Sequence, residues 1–406
     1  MLEHWPRIKR SIHQAGFSST LSSATRYILN RKISWVFEDK IEEERVPEEK
    51  LSGASSTKFF NQYEGVETYK LDLPILPETP EDYAQAFRKN YPKSVQTKPP
   101  AVYEIENTTI ISSYGIPVCE YGYLPETGLS SKNILIGLLS AGTNGITPSG
   151  RSAFQKKKEF DTLLSLVGPY DKNYYHWFGN YLPRLEGLQH YPGADEVTLM
   201  IPADPPEWLR DSLELLGFGD YNIVEWPGKP VHADRYILSR YRSEASSETG
   251  NRPPIMSKKN FKWILDRIGE NTPNNTREKD RPRIYISRED ATARRTLNEQ
   301  EVMATLSEYD FEKYILSEYS LAEQIRLFSN AEIIIGAHGA GLINMLFASD
   351  ATVIELLGPK TSSINPGLFY TISQPLNHTY ACMDVETVHR DIHVNTEKLK
   401  KLLNKV

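Results

Sequence analysis

The residues best suited to chemistry in this 406-residue chain form separate clusters, and the most informative is Glu332-Ile-Ile-Ile-Gly-Ala-His-Gly-Ala-Gly-Leu-Ile-Asn-Met-Leu-Phe347, followed by Ala351-Thr-Val-Ile-Glu355. It reads as a buried strand, a glycine-rich turn, a helix and a second strand. Gly336, Gly339 and Gly341 let the backbone approach a ligand and leave helix N–H groups pointing outward, where a phosphate or pyrophosphate would sit. His338, inside the turn, can donate a hydrogen bond or a charge to the same oxygens. The order Gly-x-x-Gly-x-Gly is not the dinucleotide fingerprint, and no Lys-Ser or Lys-Thr follows to make a P-loop. Taken alone, the turn is equally an ordinary strand-to-helix connection of an α/β protein.

A second cluster follows the strand Arg283-Ile-Tyr-Ile-Ser287: Arg288, Arg294 and Arg295, then Asn298 and Glu299. Arginine stays charged and presents a planar fork of donors, so clustered arginines at a strand end suit a diphosphate. The competing reading is a surface loop with ordinary salt bridges, such as Arg288 with Glu289. The third cluster is Asp171-Lys-Asn-Tyr-Tyr-His176-Trp-Phe-Gly-Asn180-Tyr-Leu-Pro-Arg184. Asp171 is expected to cap a helix beginning near Asn173, with His176 in its first turns, where a histidine can act as a base near neutral pH. By itself, a hydrogen-bonded histidine flanked by core aromatics is the plainer account of that segment.

Positioning these clusters requires an α/β frame. From about Glu64 to Ser239 short β-type runs (Ala101 to Ile105, Thr109 to Ser112, Val197 to Ile201, Tyr221 to Trp226) alternate with helical ones (Ser152 to Leu166, Pro206 to Leu216). The second half is more regular. Strands at Arg283 to Ser287, Phe311 to Leu316, Ile333 to Ile335 and Thr352 to Leu356 are separated by helices at Asn298 to Tyr309, Leu321 to Phe328 and Gly341 to Phe347. That order predicts a parallel, doubly wound sheet whose ligands sit at the strand C-termini, so Arg288 and His338 share one edge. Residues 242–254 hold almost nothing to bury and read as a linker or mobile loop. The expected organisation is therefore an N-terminal extension (1–63), a first domain (64–241), the linker (242–254), a ligand-binding domain (255–375) and a C-terminal segment with a closing helix (376–406).

Composition narrows the class. A net charge of -6 with mixed signs along the chain recruits no nucleic acid. The apolar runs fall far short of the roughly 20 residues of a spanning helix, and the first residues lack a secretory pattern, so a soluble or peripheral protein in the cytoplasm is expected. Two distant cysteines, Cys119 and Cys382, offer neither metal spacing nor a disulfide framework. Residues 1–36 are basic and aromatic, and such a segment can lie on the inner face of an anionic membrane. Their irregular apolar spacing favours instead a helical extension packed on its own domain. The chain contains no Asp-x-Asp, no zinc-like spacing and no Gly-x-Ser-x-Gly, which argues against metal-bridged diphosphate chemistry and serine hydrolysis.

Read together and in this order, the three segments resemble glycosyltransferase family 61. The resemblance rests on Asn173-Tyr-Tyr-His-Trp with Leu182-Pro-Arg-Leu185, on Arg283-Ile-Tyr-Ile-Ser-Arg288 with Arg294-Arg295 and Asn298-Glu299, and on Gly336-Ala-His-Gly-Ala-Gly341 with Asn344 and Glu355. It implies a GT-B architecture: two facing Rossmann-like domains with doubly wound parallel sheets, a nucleotide sugar on the C-terminal one, and inverting transfer with no cofactor or required metal. Donor contacts are then expected from Ser287, Arg288, Arg294, Arg295, Asn298, His338, Gly339, Ala340, Gly341, Asn344 and Glu355. With no cation to neutralise a departing diphosphate, Arg288, Arg295, His338 and the amides after Gly339 would have to do so. One departure is Asn180, where many family members carry an acidic residue; an amide cannot take the acceptor's proton. His176 is therefore the expected base, with Asp171 and Glu299 in reserve.

The resemblance implies a hexosyl- or pentosyltransferase moving a sugar from a nucleoside diphosphate donor, expected to be a UDP-sugar, onto a saccharide, polysaccharide or glycolipid acceptor in cell-surface glycan assembly. A nucleotide-sugar epimerase of the same fold and a non-catalytic nucleotide-sugar binding protein are the alternatives.

Overall fold

The computed structural model describes residues 46, 48–112, 114–124, 158–244, 252–271, 281–358 and 361–406. The expected N-terminal segment 1–36 and its membrane contact lie outside them. So do residues 152–157 at the start of an expected helix and residues 245–251 of the expected linker.

The first sheet contains Thr57–Gln62 (β1), Ala101–Ile111 (β2), Ile116–Cys119 (β3), Gly122–Tyr123 (β4), Lys158–Ser165 (β5), Thr198–Ile201 (β6), Ile223–Glu225 (β7) and Val231–Arg240 (β8). Its order is β4-β3-β2-β8-β5-β6-β7, with β1 also on β2. The run β8-β5-β6-β7 is parallel, as a Rossmann-like half requires. The long strand β2 adds an antiparallel half through β1, β3 and β8.

Two expectations change here. The runs at Ala101 and Thr109 are one continuous strand, β2. The segment from Lys158 is a strand rather than a helix, because β5 is held between β8 and β6 and its residues 162–165 are buried on both faces. A doubly covered strand loses the alternation that would mark it in sequence.

The second sheet contains Arg283–Ile286 (β9), Phe311–Tyr314 (β10), Ile333–Ala337 (β11), Thr352–Leu357 (β12) and Thr379–Asp384 (β13) in the order β10-β9-β11-β12-β13. Every neighbouring pair is parallel. The helices that frame the two sheets are Glu207–Leu215 (α1), Lys258–Asn271 (α2), Glu299–Ser307 (α3), Leu321–Ser329 (α4), Leu368–Ser373 (α5) and Thr396–Leu403 (α6). A reciprocal capping box of Ser320 and Glu323 starts α4, and the Asn395 side chain starts α6 by accepting from Lys398 N–H.

The boundary between the units is not where polarity placed it. Helix α2 stays with the first unit: Trp263 Nε1–H donates to Gln189 Oε1 at 3.0 Å and Arg267 Nε–H to the Leu216 carbonyl at 3.1 Å. The expected linker holds two buried bidentate pairs, Arg242 with Glu186 and Arg252 with Glu244. Its polarity marks paired charges there, not solvation. The N-terminal part also crosses over. Ile75 lies alongside β13, donating to the Tyr380 carbonyl at 2.9 Å and accepting from Cys382 N–H at 3.0 Å. Phe87 and Tyr91 pack on Tyr370 of α5.

The units meet at the carboxyl edges of their parallel strands. Tyr175 lies edge-on to Phe369 at 5.6 Å and Phe178 to Phe347 at 5.7 Å, and the Tyr174 hydroxyl donates to Asn344 Oδ1 at 2.8 Å. One hydrophobic core runs through both units, and among the described residues no helix is long and apolar enough to cross a membrane.

Candidate active site

On the second unit the chain leaves β9 through Ser287 and Arg288, as the sequence predicts. The Arg288 guanidinium donates through Nε and Nη2 to the Ala293 carbonyl at 3.3 and 3.1 Å. It forms no ion pair with Glu289, whose carboxylate instead takes Lys313. Burial, and then the neighbouring Arg294, hold the Arg288 guanidinium below the ordinary arginine range. Arg294 has a left-handed backbone, φ 56°, and a buried Nε–H with no hydrogen-bond partner. Among the described residues neither arginine has a carboxylate within 4.0 Å. Asp290 offsets part of the charge on Arg288 from beyond ion-pair distance. Two adjacent guanidiniums with no carboxylate in contact, one with an orphaned buried donor, are costly unless an anion completes them.

The glycine turn lies against this pair. A Cβ on Gly339 would stand 2.1 Å from Arg288 Nη1, so the absent side chain is what admits the guanidinium. Gly339 is extended, with φ -176°, a conformation open to any residue. Gly336 and Gly341 likewise make room for Ile286 and Leu316. The glycines thus serve packing within the edge as much as approach by a ligand. The helix they start is a 3-10 helix, Ala340–Phe347. Its leading N–H groups, at Ala340 and Gly341, have no intrahelical acceptor, as at the start of any helix.

His338 donates from Nδ1 to Glu355 Oε1 at 2.5 Å, and Glu355 is fully buried. The Tyr380 hydroxyl donates to the other Glu355 oxygen. Glu355 therefore orients His338 and does not itself reach a donor, while Nε2 has no partner among the described residues.

Other sequence-predicted donor contacts are engaged elsewhere. Arg295 donates from Nη2 at 2.6 Å and Nε at 3.2 Å to Asp391 Oδ2, with its backbone N–H on Oδ1, and is drawn to the hairpin Glu386–Val388/Asp391–His393. Asn298 bonds both the amide and the carbonyl of Val394. Asn344 is fully buried and links the Tyr174 hydroxyl to Gln324, a strut between the two units. Ser287 is buried and donates to Glu299 Oε1 at 2.7 Å. Glu299 also takes the Tyr285 hydroxyl at 3.0 Å and Lys313 at 2.8 Å. Burial alone would raise the Glu299 carboxyl, but the bonds from Lys313, Ser287 and Tyr285 outweigh it and hold it below the usual range. A carboxylate so occupied is a poor base, which removes Glu299 from the reserve candidates.

The facing edge belongs to the first unit. Here the chain leaves β5 through Leu166 to Asp171 and enters a short helical turn, Tyr174–His176, continued by a π-helical turn, Trp177–Tyr181. The cap is Asn173, whose Oδ1 accepts from His176 N–H at 3.3 Å. Asp171, expected as the cap, instead closes the preceding turn by accepting from Gly168 N–H at 3.0 Å. Burial pushes the Asp171 carboxyl up to about 6.

His176 is half-buried, and its Nδ1 lies 2.9 Å from Asn180 Oδ1, one residue beyond the span of an ordinary capping contact. Asn180 Nδ2 in turn donates to the Tyr241 hydroxyl at 2.8 Å, which sets the amide so that its oxygen faces the imidazole. His176 then carries its proton on Nδ1 and presents the Nε2 lone pair. Burial lowers its basicity, only partly offset by Asn180, so the ring is neutral at pH 7. Tyr175 lies edge-on to His176 at 5.1 Å and touches Phe369, which in turn lies edge-on to His338 at 5.3 Å. The two candidate histidines are thus linked through two aromatic rings.

Sequence reasoning missed Tyr170, Tyr241, Phe369 and Tyr380. Only Tyr170 left a trace, in the turn-forming run Gly168-Pro-Tyr-Asp171.

Fold and site together define an α/β protein with two facing carboxyl edges, one cationic and one carrying a tuned histidine. Residues 174–354 match the family Glycosyltransferase 61, so this stretch is similar to glycosyltransferases of that family. No curated protein matches the chain.

Among solved structures, the ADP-heptose lipopolysaccharide heptosyltransferase II of E. coli is similar at 12% identity, covering 61% of this chain and 98% of its own, with a TM-score of 0.28. The iron-containing dodecameric glycosyltransferase TibC of enterotoxigenic E. coli is 15% identical over 50% of this chain and 59% of its own, with a TM-score of 0.26. TibC in complex with ADP-D-beta-D-heptose is 14% identical over 58% of this chain and 64% of its own, with a TM-score of 0.27.

Proposed function

We propose that the protein transfers a sugar from a nucleoside diphosphate donor, a UDP-sugar in the first instance, to a saccharide acceptor with inversion at the anomeric carbon and without a metal. The observation that carries this is the pair Arg288 and Arg294, with no carboxylate in ion-pair contact among the described residues and set against the start of the 3-10 helix behind Gly339. That arrangement matches a diphosphate in both charge and shape.

In the reaction, His176 Nε2 takes the proton of an acceptor hydroxyl as its oxygen attacks the anomeric carbon. The bond from that carbon to the diphosphate oxygen breaks on the opposite face. The developing charge falls on Arg288, Arg294, His338 and the leading amides of the helix, groups already oriented before reaction. Asn180 is then an orienter of the base, not a vacated base position. Asp171 stays in reserve, since burial brings it toward neutrality within the same turn. The setting that fits the family reading is the assembly of a cell-surface glycan or glycolipid from the cytoplasmic side.

Titration calorimetry with UDP, preceded by a thermal-shift screen of nucleotide sugars, tests the donor half. Binding of UDP that is lost in Arg288→Ala supports it; equal affinity in both proteins removes the phosphate role.

A further inference from the structure

Tyr170 is the one residue at the His176 edge whose exposure and backbone have no structural explanation. Its side chain is 68% exposed, and its backbone lies in the left-handed region at φ 62°. A tyrosine in that region carries a steric cost that glycine or asparagine would avoid. The conformation is nevertheless firmly held. Asn173 N–H donates to the Tyr170 carbonyl at 2.8 Å, Asp171 N–H to the Gly168 carbonyl at 3.3 Å, and the Tyr181 hydroxyl to the Pro169 carbonyl at 2.8 Å. The result is a fixed aromatic ring lying 5.2 Å from the His176 imidazole, with the two planes 21° apart. One face is partly covered by His176, so the exposure lies on the other face and the rim.

We infer that Tyr170 is the platform on which the acceptor's pyranose ring stacks, setting a rim hydroxyl beside the His176 imidazole edge. This rests on the reading of His176 as the base of a glycosyl transfer. A pyranose has a face of C–H groups that packs on the electron-rich face of an aromatic ring, while its hydroxyls project from the rim. The charged edge around Arg288 supplies no such surface, so the aromatic side selects the neutral sugar acceptor and the cationic side the nucleotide. Strain held in place beside a reacting group is expected where orientation is the gain.

Initial rates against acceptor concentration test this in the full chain, once a donor and glycan acceptor have been found by screening. Tyr170→Ala is expected to raise the acceptor KM by about tenfold, with kcat changed far less and UDP affinity by calorimetry unaltered. Tyr170→Phe, which keeps the ring, is expected to recover most of that loss. Tyr170→Gly relieves the backbone, so it should raise KM as alanine does while leaving the melting temperature at or above that of the parent protein. An unchanged acceptor KM in the alanine and glycine variants overturns the platform, as does a loss of kcat that tracks a lowered melting temperature. If the parent protein binds no UDP and transfers no sugar to any glycan, the underlying reading fails and the platform falls with it. Transfer by the parent with indifferent Tyr170 variants removes the platform alone.

Discussion

The two lips of the cleft share a construction, the carboxyl edge of a run of parallel strands, but treat charge in opposite ways. On the first unit's lip, burial drives both ionisable groups toward their neutral forms: Asp171 is pushed up to about 6 and His176 is held below the ordinary histidine range. On the second unit's lip, Arg288 stays a cation beside Arg294 despite burial and mutual repulsion. A neutral base and a cation pair with no carboxylate in contact among the described residues are both unfavourable arrangements for a resting protein. They fit a reaction that removes a proton at one lip and releases a diphosphate at the other.

The sharpest way to break this contrast is His176→Ala. It should lower kcat by about 10²–10⁴-fold while leaving UDP affinity unchanged, because the two lips act on different ligands. Undiminished turnover in a folded variant would pass the role to Asp171. Arg288→Ala should do the reverse, weakening UDP by roughly 30- to 100-fold in calorimetry.

Gly339→Ala sharpens the same point at lower cost to the fold. The new methyl would meet the mobile end of Arg288, so the guanidinium shifts while the core stays put. UDP affinity should fall by about tenfold with little change in melting temperature.

Asn180→Asp tests the neutral character of the first lip. A proton-accepting His176 must be unprotonated, and burial places the acid limb of kcat/KM below the ordinary histidine value of 6.5. A carboxylate at position 180 favours the imidazolium, so that limb should move to higher pH. A profile that stays in place would show that the limb belongs to another group.

The smallest effect is expected from Asp171→Asn. A carboxyl raised by folding contributes stability below its unfolded value near 3.8 and loses it as pH rises through about 6. Removing the charge should stabilise the protein by about 1 kcal/mol at pH 7.5 and by much less at pH 4, read from denaturant melts at the two values.

Much of the second lip was legible in the sequence. Its strands are short apolar runs bounded by turn residues, and the doubly wound order places Arg288 and His338 on one edge without further information. The first lip was harder to read. β5 was taken for the end of a helix because burial on both faces erased its period. The polar run 242–254 reads as a linker, although Arg242 closes on the buried Glu186 and Arg252 on the buried Glu244.

Residue types and local spacing determined the α/β class, the parallel second sheet, the glycine-rich turn and the family resemblance, because each depends on short-range pattern. Only the tertiary structure could decide which of the clustered charges remain available. Arg295, Asn298 and Glu299 are consumed by partners on other elements, and Asn344 by the contact between the units. Arg288, Arg294 and His338 keep groups free for a ligand. A hydrogen bond between residues about 100 positions apart, such as those joining Arg295 and Asn298 to the C-terminal segment, has no signature in a single chain's local pattern. The orientation of Asn180 was decided in the same way, by the Tyr241 hydroxyl that turns its amide toward His176.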